Sequence, residues 1–211
     1  MSKRIEHKEE AITGIEQSQG YAERHRKHAR LQYQGLLGDI KALAVEGDYL
    51  EVGAGPGILT AMMAEDNPDI TITALDLSPE MVTAGRGYIK EKGLEHKIRY
   101  FLGDVGDRRV MDGLGEFDVV YSAFSLHHWK DPIESIGNLL NAVKANGVLC
   151  LYDLKRVWWL YFLPIGGGFI ESIRASYMPS EVEGILQELR IREFKIKTLF
   201  PFFMLSMIAW K

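Results

Sequence analysis

One cysteine, Cys150, is all the sequence offers, so no internal disulfide can form. It stands in an apolar run and reads as a buried structural thiol of a protein from a reducing cytoplasm. Cations are not in excess either. With 25 Lys+Arg against 29 Asp+Glu, the formal net charge is -4. General attraction to nucleic acid is therefore not expected. No apolar run nears the roughly 20 residues of a bilayer span; the longest covers only residues 157–165. Stable membrane insertion is not expected. The first residues are charged and lack the apolar centre of a signal peptide. No His, Cys, Asp and Glu set has recognisable metal-ligand spacing, so no metal is expected. Neither an internal repeat nor a low-complexity segment occurs. What remains is ordinary globular composition, 46% hydrophobic and 26% charged over 211 residues, enough for one domain with a full core.

The most informative stretch is Leu50-Glu51-Val52-Gly53-Ala54-Gly55-Pro56-Gly57. An apolar strand carries an acid, turns on alternating glycines and runs into an apolar helix. Without Cβ atoms, such a turn lets a ligand approach bare backbone. The nicotinamide fingerprint G-x-G-x-x-G would need glycine at position 58, where Ile58 stands. Asp76 then closes the β-branched run 70–75, about 20 residues beyond the turn, where a carboxylate suits ribose hydroxyls. Ser78-Pro79-Glu80 reads as a helix start, with Ser78 as N-cap and Pro79 first in the helix. Further strands are expected over residues 98–102 and 117–122, followed by Asp104 and by Ser122-Ala123-Phe124-Ser125-Leu126-His127-His128-Trp129. A turn over 143–147 and a fifth strand over 148–152 complete the series.

The form E-x-G-x-G-x-G, with Asp76, Gly103-Asp104-Val105 and the fifth-strand turn in order, resembles the class I S-adenosylmethionine (SAM) dependent methyltransferases. The likeness covers about residues 45 to 154. It implies a Rossmann-like α/β fold with a seven-stranded, mostly parallel sheet, an antiparallel last strand and helices on both faces. It also implies S-adenosyl-L-methionine as cofactor and S-adenosyl-L-homocysteine as product. On this likeness the cofactor residues are Glu51, Gly53, Ala54, Gly55, Gly57, Asp76, Leu77, Met81, Asp104, Val105 and Ser122. Tyr21 joins them from an N-terminal lid, with Tyr33 a second lid candidate. Asp76 would take the ribose, Met81 the adenine face and Asp104 the adenine amino group.

The chain divides into a helical N-terminal cap, 1–45, and a SAM-binding domain, 46–211. Within the latter, 155–180 reads as a substrate-lid insertion. A helix is expected from Met178-Pro179-Ser180-Glu181 to about Leu189, then strands over 190–199 and 202–210 turned at Phe200-Pro201. The basic run Arg24-His25-Arg26-Lys27-His28 with Arg30 reads first as a solvated helix face and second as a contact for an anionic group. His127 and His128 are the candidate catalytic bases, since neutral imidazole accepts protons near pH 7; shaping the pocket is the alternative. Trp158, Trp159 and Phe162, with Arg174 and Tyr177, are candidate acceptor-binding residues. Their aromatic run has three readings: core, lid over an apolar acceptor hinged on Gly166-Gly167-Gly168, or peripheral membrane contact.

The function expected is SAM-dependent methyl transfer to a small, partly apolar metabolite. The chain is broadly similar to quinone- and biotin-pathway methyltransferases. A cytosine-carbon enzyme would need a catalytic Cys motif, an amino-methylating nucleic-acid enzyme an Asp/Asn-Pro-Pro-aromatic motif, and an arsenite enzyme several cysteines. Each is missing. A non-catalytic SAM-binding regulator and a protein or RNA methyltransferase stay as alternatives. Ile58 argues against a nicotinamide oxidoreductase.

Overall fold

The computed structural model describes residues 3–5, 15–162, 168–200 and 202–211, and over 15–28 the helical backbone alone. A seven-stranded sheet has the order β3-β2-β1-β4-β5-β7-β6. The strands are β1 (Gly47–Val52), β2 (Ile70–Asp76), β3 (Ile98–Leu102), β4 (Phe117–Ala123), β5 (Val143–Leu154), β6 (Phe194–Leu199) and β7 (Met204–Trp210). Pairing is parallel from β3 across to β5, while β7 runs antiparallel to both its neighbours. The helices are α1 (Ile15–Leu43), α2 (Ile58–Asp66), α3 (Pro79–Glu91), α4 (Arg108–Leu114), α5 (Pro132–Asn141), α6 (Trp158–Tyr161), α7 (Gly168–Ala175) and α8 (Pro179–Glu188). The expected α/β architecture is the one observed.

Both sheet faces are covered, which is why the central strands read as continuous apolar runs. Tyr49, Val119, Tyr121, Cys150 and Tyr152 point into the layer under α1, α2 and α3. Their neighbours Leu50, Val120, Leu149 and Leu151 point the other way, under α4, α5 and α8. Cys150 is 1% exposed, and burial pushes its thiol up to about 12. The residue is inert packing, as the sequence suggested.

Local chemistry explains the element ends. Ser78 Oγ accepts from Met81 N–H at 3.2 Å and Pro79 opens α3. Glu181 accepts from the Met178 N–H at 2.7 Å, and Pro179 opens α8. Two expectations need correction. The turn expected before the fifth strand is a bulge inside β5: the register shifts opposite Asp118, and Asn146 takes a left-handed φ of 65°. The sixth strand begins at Phe194 rather than residue 190. Arg190, at φ 60°, ends α8 in a left-handed turn, with Ile191 N–H donating to Leu186 O at 2.9 Å. With Arg190 N–H donating to Gln187 O at 2.9 Å this is a Schellman cap, and it uses up the residues that would extend the strand.

The β6–β7 hairpin is tied to α1 through Asp39. Its two oxygens accept from Lys197 Nζ at 2.8 Å and Ser206 Oγ at 2.7 Å. Ser206 is buried at 2% exposure, so its hydroxyl has no ready water to replace the carboxylate. Asp39→Ala is expected to cost about 1–3 kcal/mol in urea unfolding, because it strands a buried donor. A variant with wild-type stability would remove this tie from the account.

Candidate cofactor and acceptor site

The parallel strands β1, β2, β3 and β4 end at one edge of the sheet, and the site is built there. The strand order reverses between β1 and β4, which leaves a crevice at the strand ends. After β1 the chain turns on Gly53, Gly55 and Gly57, at φ 71°, 55° and 83°. These are left-handed conformations that side chains resist. At Gly53 the need is also spatial: an added Cβ would lie 1.9 Å from Ser125 Oγ. Gly53 and Ala54 N–H both donate to Leu75 O, at 2.9 and 3.1 Å, which folds the loop over β2.

Asp76, the last residue of β2, fastens this loop. One carboxylate oxygen accepts from Gly55 N–H at 2.7 Å, the other from Ser78 N–H at 2.9 Å. Burial raises its pKa, against backbone hydrogen bonds from Ser78, Gly55 and Leu77 that favour the charged form. Each oxygen keeps a further lone pair for a ligand. At the end of β3, Asp104 is exposed and accepts from Gly106 N–H at 2.8 Å in a local turn.

A cleft of about 370 Å³ opens between these loops. That volume is within the range of small-ligand sites. Of the sequence candidates, Gly53, Gly55, Asp76, Leu77, Met81, Asp104, Val105 and His128 line it. A chamber of about 50 Å³ adjoins it across Gly53, Gly55, Phe124 and Ser125, and is lined by Glu51, Ala54 and Tyr33. Gly57 lies behind, at the start of α2, packed near Tyr100 and Gly85. Ser122 points into the sheet instead, donating to Val52 O at 2.7 Å. The side chain of Tyr21 lies outside the described residues.

The two histidines separate. His128 lines the cleft. His127 is 3% exposed, and its Nδ1 lies 2.7 Å from Asp153 Oδ1 while its N–H donates to Asp153 Oδ2 at 2.9 Å. The two rings are in contact, centroids 4.1 Å apart and tilted by 39°, so the buried His127–Asp153 pair packs against His128. The acceptor candidates do not reach the cleft. Trp158, Trp159 and Phe162 are 73%, 45% and 69% exposed and do not line it, which overturns the core reading for these three residues. Tyr177 is buried beneath Arg4, and Arg174 Nε donates to Tyr161 O at 3.1 Å. Gly166 and Gly167 of the hinge lie outside the described residues.

Sequence reading passed over Phe124, Ser125, Trp129 and Glu134, all of which line the cleft. Phe124 holds a left-handed φ of 55°, a conformation costly for a bulky residue. Its N–H donates to Tyr152 O at 2.8 Å and its ring packs on Tyr33 and Tyr152, which fix it. Nothing in the residue type advertises this. Only its place, directly after a strand of the crevice, could have.

A family profile described as a methyltransferase domain matches residues 50–149. The ubiquinone/menaquinone biosynthesis C-methyltransferase of Geobacter sp. strain M21 is 26% identical over 149 residues, 64% of this chain and 63% of that protein. The ubiquinone biosynthesis O-methyltransferase of Xanthomonas axonopodis is 32% identical over 118 residues, 56% of this chain and 47% of the relative. The matches thus span between about half and two thirds of these relatives. Among solved structures, a SAM-dependent methyltransferase from Aquifex aeolicus superposes with TM-score 0.73 at 17% identity, covering 94% of this chain and 99% of that one. A Methanococcus maripaludis protein gives 0.72 at 20% identity, covering 97% of each chain. These two establish the fold.

Glu51 sits under the glycine loop at 2% exposure and accepts from Tyr121 OH at 2.8 Å. Burial pushes its carboxyl up to about 7, against hydrogen bonds from Thr60 and Tyr121. The folded protein therefore holds this proton more tightly than the unfolded chain, where the ordinary value is 4.5. Stability from this group is full below that value and is lost as pH rises through about 7. Glu51→Gln should not lose it. The melting temperature of the variant is expected to gain on wild type between about pH 5 and pH 8. Parallel pH profiles for the two proteins would contradict the raised value.

Proposed function

We infer that residues 50–149, which match a methyltransferase domain profile, form a SAM-binding domain of the class I kind. On that premise the chain binds SAM and transfers its methyl group to a small, partly apolar metabolite. The observation that carries the reading is the Asp76 carboxylate, anchored to two backbone N–H groups at the mouth of a cleft of about 370 Å³. The glycine turn leaves backbone open to the methionine part of the cofactor. Asp76 accepts from the ribose hydroxyls, Met81, Leu77 and Val105 flank the adenine, and Asp104 takes its amino group. Glu51 supplies a buried carboxyl group beside the smaller chamber. Tyr33 of α1 closes the smaller chamber. The alternating left-handed glycines fit such a ligand, whereas buried Ile58 stands where a dinucleotide turn needs its last glycine.

The sulfonium of SAM supplies an activated methyl carbon, so the protein need not provide a nucleophile. Its residues orient the acceptor and exclude water, which can contribute on the order of 7–11 kcal/mol. Phe124 and Trp129 give the cleft apolar walls. His128 is the imidazole placed to take a proton from an acceptor hydroxyl, with His127 and Asp153 holding it in place. Trp158, Trp159 and Phe162 stand outside this pocket, and Arg174 and Tyr177 support the segment that carries them. Relatives named for ubiquinone and menaquinone biosynthesis favour an apolar acceptor.

Incubation with methyl-labelled SAM and fractionated metabolite pools is expected to label an organic-extractable small molecule. Label in protein or RNA alone would reject the acceptor class, and SAM binding without any transfer would make the chain a regulator. Asp76→Ala removes charge-assisted bonds worth roughly 1.5–3 kcal/mol. SAM affinity measured by calorimetry should fall by at least about 10- to 150-fold. Unchanged affinity in the folded variant would reject the ribose role.

A further inference from the structure

Large aromatic side chains crowd one patch of the surface. Trp158 and Phe162 are 73% and 69% exposed, Phe200 and Phe202 are 82% and 63% exposed, and Phe169 is 48% exposed. They project from α6, from the start of α7 and from the β6–β7 turn. Phe203 joins these elements into one platform: its ring lies 6.5 Å from Trp159 and 5.5 Å from Phe169, and its carbonyl accepts from Lys155 N–H at 2.7 Å. The remaining rings pair edge-on, Tyr161 with Phe162 at 5.0 Å and Phe200 with Phe202 at 5.8 Å. Soluble proteins rarely leave apolar groups of this size together in water.

The platform has a definite place. In the β5–β7 register Leu154 pairs with Met204, so the β6–β7 turn lies at the end of β5. Tyr152 of that strand accepts from Phe124, which lines the cleft. Platform and cleft share the edge of the sheet where the parallel strands end. The charge beside the platform leans positive: Lys155 and, on α7, Arg174, whose Nε donates to Tyr161 O, stand against the exposed Glu171, while Lys197 is paired with Asp39. Lys155 stands at the foot of the platform, its Nζ 3.5 Å from Thr198 Oγ1, while Arg156 is buried against Glu181.

We propose that this aromatic platform docks the protein on an anionic lipid surface, with the edge that carries the cleft turned toward the lipid. Trp and Phe suit the interface between headgroups and acyl chains, and flanking cations suit anionic headgroups. Separate rings standing on short elements can each enter a fluid phase without a matching pocket, whereas a second protein surface would have to provide one. Among the described residues no helix is long and apolar enough to cross a membrane, so the contact is peripheral. The surface stands on its own chemistry and does not depend on methyl transfer.

Co-sedimentation with phosphatidylcholine vesicles, with and without about 30% phosphatidylglycerol, tests it. The full chain should pellet with anionic vesicles, less with neutral ones, and less as salt is raised. A double variant, Phe200→Glu with Phe202→Glu, should keep its melting temperature and partition about 10- to 100-fold more weakly. Lys155→Gln should reduce only the anionic preference. No partition of the wild type, or equal partition of the double variant, would overturn the proposal. So would a wild-type dimer in sedimentation velocity that the double variant abolishes, which would make the platform a self-association surface.

Discussion

The carboxylate of Asp76 is the interaction on which the rest of the site depends. It ends β2 and holds two loops at once, the glycine turn through Gly55 N–H and the start of α3 through Ser78 N–H. Ser78 in turn caps α3 through Met81 N–H, which sets Met81 in the cleft wall. A partly buried acid is costly unless hydrogen bonds compensate it. Here the compensation comes from backbone donors that would otherwise be orphaned at a turn and a helix end. The two loops are thus joined through backbone N–H groups, which a side-chain substitution at Gly55 or Ser78 does not remove.

Sheet topology decides where that carboxylate points. The reversal between β1 and β4 opens the crevice, and parallel strands send every neighbouring loop to the same edge. The two walls then meet closely: Gly53 tolerates no side chain because Ser125 occupies the space. The left-handed Phe124 brings Ser125 there, and it is held by its bond to Tyr152 and by aromatic packing. Beneath, Glu51 and Tyr121 form a buried polar pair between β1 and β4.

Much of this was legible in the sequence because it rests on local rules. Glycines at alternate positions, an acid at a strand end and Ser78-Pro79 before a helix each have a short-range physical cause, and each lies where it was expected. Other features depend on contacts remote in sequence. The pairing of His127 with Asp153 joins β4's exit to β5, and no spacing rule links them. The left-handed Phe124 contradicts its own residue preference and survives on tertiary packing. Residues 157–162 show why apolar content is not burial, since Val157 is buried while Trp158 and Phe162 are exposed: without helical or strand periodicity, an aromatic run fits core and exposed surface alike. The strand boundaries near 143 and 194 failed for a related reason, since a bulge and a helix cap leave weak local signatures.

Soaking or co-crystallising the protein with S-adenosylhomocysteine tests the central claim most directly. The account predicts ligand density in the cleft of about 370 Å³. Both ribose hydroxyls should lie within about 3 Å of the Asp76 oxygens, with the Gly55 and Ser78 bonds intact and Asp104 facing the adenine. A ligand bound elsewhere, or an Asp76 turned away from the ribose, would contradict it.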